Sequence, residues 1–319
     1  MRSARSGTPV GYPRSECPFH VRLANQPPEV TVRIRTAVAA VVVLAVTVTV
    51  GTFVLVHRLG KDLSLRLPLH ACVVDSGTGG EVELDADQMA NAATVSAVGI
   101  SRQVPQRAVV VALATAFQES KLHNLVGGDR DSIGLFQQRP SQGWGTPEQI
   151  SDQRYAAGRF YTSLLKIKGW ETLRVTDAAQ AVQRSGHPEA YEKWADKADL
   201  LARALTGDAT GAVACTLTDR PDKRGPAAAD ALAAGLRLDW GAGTNPVTSA
   251  DLPGLALAVA DVRVGWQYAH WLVAHAQDSG VKRVRFTDRE WTATGGSWAK
   301  VGAGADDGRR VVAEVYGDS

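Results

Sequence analysis

Glu119 is the side chain in this sequence whose position most invites chemistry. It lies in the segment Ala116-Phe117-Gln118-Glu119-Ser120, just past an intensely apolar stretch that runs from Val109 to Phe117. A compact loop follows, Gly127-Gly128-Asp129-Arg130-Asp131-Ser132-Ile133-Gly134-Leu135-Phe136-Gln137-Gln138, rich in residue types that hydrogen-bond sugars. A carboxyl group set against apolar neighbours has its charged form disfavoured, so it can hold a proton near neutrality. Protonating a glycosidic oxygen requires such a group. A Glu that simply faces water at a helix end is the commoner occurrence; the adjoining loop shifts the balance towards a site. Asp129 and Asp131 are the nearby carboxylates in sequence that could activate a water, although Asp in a Gly-rich loop often bonds its own backbone. Trp144 follows the loop and offers either a stacking face for a sugar ring or plain packing.

These side chains need elements to hold them. Asp85 is an N-cap signal for a helix to Arg102, and Pro105 opens a second helix at a position where proline costs little. The body of that second helix, Ala108 to Phe117, is apolar all round and should be buried in a core. Gly127–Pro147 should be a long Gly-rich loop of the kind that is usually functional, and further helices are expected after it over Asp152–Lys168, Thr176–Arg184 and Pro188–Leu205. Residues 217–228 read as a charged Pro/Gly linker. Beyond it, Arg263–Gln277 should be a helix, and Val281–Thr287, Glu290–Thr292 and Arg309–Tyr316 short strands.

At 319 residues the chain has room for about two domains. Residues 1–35 carry six Arg against two Glu, while the rest holds 29 basic and 31 acidic side chains, a balance that argues against nucleic-acid binding. Thr36 to Val56 contains no charged residue, and a bilayer core needs about 20 apolar residues in helix. Its length and the lack of a small-residue cleavage site favour a retained anchor over a signal peptide. The expected layout is a disordered basic cytoplasmic tail (1–35), a transmembrane anchor (36–57), a juxtamembrane linker (58–83), a helical domain (84–216), the linker (217–228) and a small α+β domain (229–319). The expected fold class is thus a mainly α domain plus a small C-terminal α+β domain, preceded by one transmembrane helix. The protein would be single-pass, with its N-terminus cytoplasmic and both domains outside, the bilayer being one partner. Cys72 and Cys215 would then share an oxidising compartment and flank the helical domain, so a bridge is expected.

The motifs Glu119-Ser120, Gly134-Leu135-Phe136-Gln137 and Gly128-Asp129-Arg130 resemble those of the lysozyme-like domain of lytic transglycosylases and goose-type lysozymes, in the form found in actinobacterial cell-wall proteins. The resemblance covers residues 84–207. It implies cleavage of the β-1,4 bond between N-acetylmuramic acid and N-acetylglucosamine in peptidoglycan glycan strands, with Glu119 as general acid/base and no cofactor. Ser120, Asp129, Asp131, Gln137, Gln138 and Trp144 would line the substrate. The Ala-Tyr-Asn element of many transglycosylases is absent; the corresponding stretch is Ala179-Gln180-Ala181-Val182-Gln183-Arg184-Ser185, so its contact would pass to Gln183. The same departure leaves a non-catalytic glycan-binding or scaffold protein as the alternative. The segment Gly265-Trp266-Gln267-Tyr268-Ala269-His270-Trp271-Leu272-Val273 resembles the C-terminal domain of actinobacterial cell-wall hydrolases, without that family's closing His-x-His. His270 and His275 diverge on a regular helix, so no metal site is expected.

Overall fold

The computed structural model describes residues 72–318, apart from 76, 78, 218–220, 250–251 and 302–307. Two antiparallel sheets and a set of helices make up this part, and all of it belongs to one compact unit. The first sheet has three strands in the order β2-β1-β3, formed by Cys72–Asp75 (β1), Glu81–Leu84 (β2) and Val213–Cys215 (β3). Cys72 pairs directly with Cys215 across β1 and β3, with Cα atoms 4.0 Å apart, and the two form the expected disulfide. The bridge ties the start of the helical part to its end.

Between β2 and β3 lie α1 (Ala86–Ser101), α2 (Gln106–Ser120), α3 (Pro147–Ser151), α4 (Gln153–Leu164), α5 (Val175–Gln183) and α6 (Ala195–Leu205). Asp85 caps α1 with a reciprocal box: its carboxylate accepts from the Gln88 amide, and the Gln88 side chain accepts from the Asp85 amide. Every residue of α1 from Met89 to Gly99 is buried. A helix buried all round has neighbours on every side, and α1 packs against α2, α4 and two later helices. Helix α2 is equally enclosed between α5, α6 and α1, so its last turn projects from a fixed core.

After β3 come α7 (Gly225–Trp240), β4 (Val247–Ser249), β5 (Leu252–Ala258), α8 (Val262–Ala274), α9 (Ala276–Ser279), β6 (Val281–Phe286), β7 (Arg289–Thr292), β8 (Trp298–Lys300) and β9 (Arg310–Val315). The second sheet has the order β4-β5-β9-β6-β7-β8. Alternate residues of β9 are buried, as expected where one face of a strand meets a core. Helix α8 lies on that core so closely that a Cβ at Gly265 would sit 1.9 Å from the Phe286 ring. Where the helical part meets α7 and α8, Asp239 is almost fully enclosed. Its carboxylate accepts from Thr94 Oγ1 (2.9 Å) and Trp271 Nε1 (2.8 Å) and pairs with Arg154. One buried charge therefore joins α1, α4, α7 and α8.

The expected fold class needs correction on three counts. The molecule is not a mainly α domain with a small appendage: two antiparallel sheets account for nine strands among the described residues. The first sheet begins within the stretch expected to be juxtamembrane linker, where β1 and β2 have four residues each, too short for a periodic signal. The second sheet is twice as wide as expected, partly because β5 contains Pro253 and Gly254, which read as breakers. Finally, no helix among the described residues is long and apolar enough to cross a membrane. The span expected at 36–57 lies outside the described residues.

Candidate functional site

Glu119 stands on the last turn of α2, half-buried, with the core holding the helix behind it. The chain then turns sharply: Lys121 and Leu122 both have positive φ (57° and 65°), uncommon for side-chain-bearing residues. Seven non-glycine residues have positive φ among those described, and five of them (Lys121, Leu122, Arg130, Gln137 and Arg184) lie in the segments that frame Glu119. Backbone strain of this kind costs about 1–3 kcal/mol per residue and clusters at functional sites.

Ser120 fixes the helix end to the loop. Its hydroxyl lies 2.8 Å from the Leu135 carbonyl and 3.1 Å from that of Ala116. The loop itself closes through a two-way backbone bridge between Ile133 and Gln138 (2.9 and 3.1 Å). Gln138 is buried and donates to the Ala156 carbonyl of α4, a role in holding the loop to the helices. Gln137 donates to the Gly134 carbonyl, and its carboxamide rests so close to Gly128 that a Cβ there would fall 1.7 Å from Oε1 and displace it.

The two loop carboxylates part company. Asp131 accepts from Arg139 Nε (2.6 Å) and from the Ser141 amide (2.8 Å). The Ser141 bonds, and after them Arg139, hold its carboxyl well below the usual carboxylate range. Asp131 is a structural anion of the loop. Asp129 is almost wholly exposed beside Arg130, with their charged groups 3.8 Å apart.

Gln183 and Tyr191 come to Glu119 from the far side of the sequence. Gln183, the last residue of α5, donates through Nε2 to Glu119 Oε1 (3.1 Å) and to the Phe136 carbonyl (2.8 Å). Tyr191 Oη donates to the same Oε1 at 2.7 Å. Burial, and then the Glu119 charge, push the Tyr191 hydroxyl above its usual pKa, so it remains a donor. The segment that carries Tyr191 is held to α5: Glu192 accepts from the Thr176 amide (3.0 Å), and Gln180 from the Ser185 amide (3.2 Å). One oxygen of Glu119 is thus oriented by two neutral donors, while the other, Oε2, has no hydrogen-bond partner among the described residues.

Next to this carboxylate lies an aromatic surface. Trp194 stacks on Phe117 with ring centroids 5.2 Å apart and donates to Gln118 Oε1 at 2.9 Å. Lys121, Lys193 and Lys197 approach the Trp194 ring to 4.7, 5.4 and 5.9 Å. Partial burial, then the Lys193 charge, lower the pKa of Lys121, and the nearby Glu119 opposes them. On the Gln183 side, Trp144 and Gln183 line one cleft of about 480 Å³ together with Arg159, Lys166 and Arg184.

Of the residues expected to form a site, Glu119 and Gln183 are joined by a hydrogen bond and Ser120 is tied to the same loop as Gln183, whereas Trp144 shares with Gln183 a cleft that Glu119 does not line. Gln138 and Asp131 build the loop, and Asp129 stands exposed. The residues missed from sequence are Tyr191, Gln118, Lys121 and Trp194. A signal for two of them was present: Tyr191 and Trp194 are three residues apart just after the Gly186-His187-Pro188 break, and so share one face of a short turn. His270 is buried in α8, with Nδ1 2.8 Å from the Ala204 carbonyl and Nε2 3.0 Å from the Ala212 amide. No protein-family model matches this chain, and no curated protein matches it either.

Proposed function

We propose that this protein cleaves the β-1,4 bond between N-acetylmuramic acid and N-acetylglucosamine in peptidoglycan, as a lytic transglycosylase. The observation that carries the reading is the Glu119 carboxylate, oriented through Oε1 by Tyr191 and Gln183 beside a cleft that Gln183 shares with Trp144. In its acid form Glu119 gives a proton to the glycosidic oxygen as the bond from that oxygen to the muramic C1 breaks. The 6-hydroxyl of the same muramic acid then attacks C1, and its proton returns to Glu119. No water is consumed, and the product carries a 1,6-anhydro ring. The engagement of Asp131 by Arg139 and Ser141 favours this route over hydrolysis, which needs a second carboxylate to activate water. The Cys72–Cys215 bridge supports a site of action outside the cytoplasm, where disulfides persist.

The test is release of soluble fragments from purified peptidoglycan. Glu119→Gln keeps the shape of the side chain and removes the transferable proton, so turnover should fall by about 10²–10⁴-fold. Asp131→Asn should lose far less. Wild-type rates in Glu119→Gln would dismiss the mechanism.

A further inference from the structure

The cleft beside Gln183 is more strongly charged than sugar binding requires. Arg159, Lys166 and Arg184 line it, and its wall contains no acidic side chain. That concentration stands against a chain whose residues from 36 onward carry two more acidic than basic groups. Lys166 and Arg184 make no ion pair among the described residues, and both are exposed. Arg159 donates through Nη2 to the Gly143 carbonyl (3.1 Å), which fixes the guanidinium on the cleft wall, while its buried Nε has no partner among the described residues. Arg184 caps α5 in the left-handed conformation (φ 51°), directly after the residue that holds Glu119. Charges of one sign in a walled cleft focus the field and raise the local concentration of the opposite sign. A fixed guanidinium matches the planar geometry of a carboxylate. Trp144 supplies an apolar face on the same wall.

We infer that this cleft is an anion subsite that takes the carboxylate-bearing substituents of the glycan, so that the protein selects acidic muramic-acid strands over neutral N-acetylglucosamine chains. The inference rests on the proposed peptidoglycan reading and deepens it. Those carboxylates have two sources: the lactyl group of a bare strand, or the peptide attached to it. Arg159, Lys166 and Arg184 would pair with them while Trp144 stacks on a ring, and the glycosidic bond is thereby drawn towards Gln183 and Glu119.

The experiment measures binding to full-length Glu119→Gln protein by calorimetry, so that turnover does not intervene. Three tetrasaccharides serve as probes: neutral chitotetraose, a GlcNAc-MurNAc dimer with free lactyl carboxylates, and the same dimer bearing its peptides. At low salt at least one acidic probe should bind about tenfold or more tightly than chitotetraose, with the gap closing as salt screens it. Adding Lys166→Gln and Arg184→Gln, both exposed and expected to leave the fold intact by circular dichroism, should bring the probes to within about twofold. Preference for the bare dimer identifies the lactyl group; preference for the peptide-bearing dimer identifies the peptide. Equal binding of all three probes, or a preference that survives the double substitution, would overturn the anion subsite. Cleavage by the wild type is assayed in parallel: discrimination without cleavage removes the enzyme reading and keeps the subsite, and cleavage without discrimination does the reverse.

Discussion

At the scale of single residues, the site turns on how Oε1 of Glu119 is held. Tyr191 is the closer donor and is itself buried, so Tyr191→Phe removes one charge-assisted bond and leaves the packing. Such a bond is worth about 1.5–3 kcal/mol, and its loss should lower kcat by about ten- to a hundredfold, with a fall in melting temperature of at most about 10 °C. A fall in stability with unchanged kcat would make Tyr191 a packing residue only. His270 offers a second residue-level expectation. Burial, opposed by the bond to Ala204, lowers its pKa from 6.5 to about 4, so the folded protein keeps the ring neutral. The unfolded chain binds the proton first as pH falls, and stability should therefore decline between about pH 6.5 and 4 and be complete above that window. Thermal melts from pH 8 to 4.5 should show that decline in the wild type and a shallower one in His270→Gln. A wild-type melting temperature flat across the window would contradict the burial of a neutral ring.

At the scale of elements, the N-cap at Asp85 was legible from its residue type, and the core helix carrying Glu119 and the helix at 175–183 from two or more turns of consistent pattern. The short strands were not: β1, β2 and β3 have three or four residues, and their pairing is long-range, which no local pattern encodes. For the same reason Gln183 was placed through a resemblance, while Tyr191, 72 residues from its partner Glu119, was missed altogether. Helix α7 begins inside the expected linker because Gly225 and Pro226 mark a helix start as readily as a loop. Its buried Asp239 is the joint between the helical part and the second sheet's helices. Asp239→Asn would leave Arg154 without its counter-charge; because the Arg154 side chain is about a third exposed and water can reach it, the cost should be about 1–3 kcal/mol, below that of a fully buried pair. Urea denaturation should show that loss; a change below about 1 kcal/mol would mean that water, not Asp239, balances Arg154.

At the scale of the whole molecule, the described residues belong to one compact unit, tied together by the Cys72–Cys215 bridge and by the Asp239 junction. Bridging a loop of 143 residues in sequence separation stabilises the folded state by at most about 4–5 kcal/mol, through loss of freedom in the unfolded chain. That rigidity places Glu119, Tyr191 and Gln183 together although they come from different helices and a turn. The proposed reaction leaves a chemical signature that binding alone cannot produce. Purified peptidoglycan should be digested with the wild-type protein and the released muropeptides analysed by mass spectrometry. Fragments ending in 1,6-anhydro-muramic acid, lighter by one water than hydrolytic products, are expected, and they should be missing with Glu119→Gln. Fragments with ordinary reducing ends would assign water as the nucleophile, and an absence of any fragments from the wild type would contradict catalysis at Glu119.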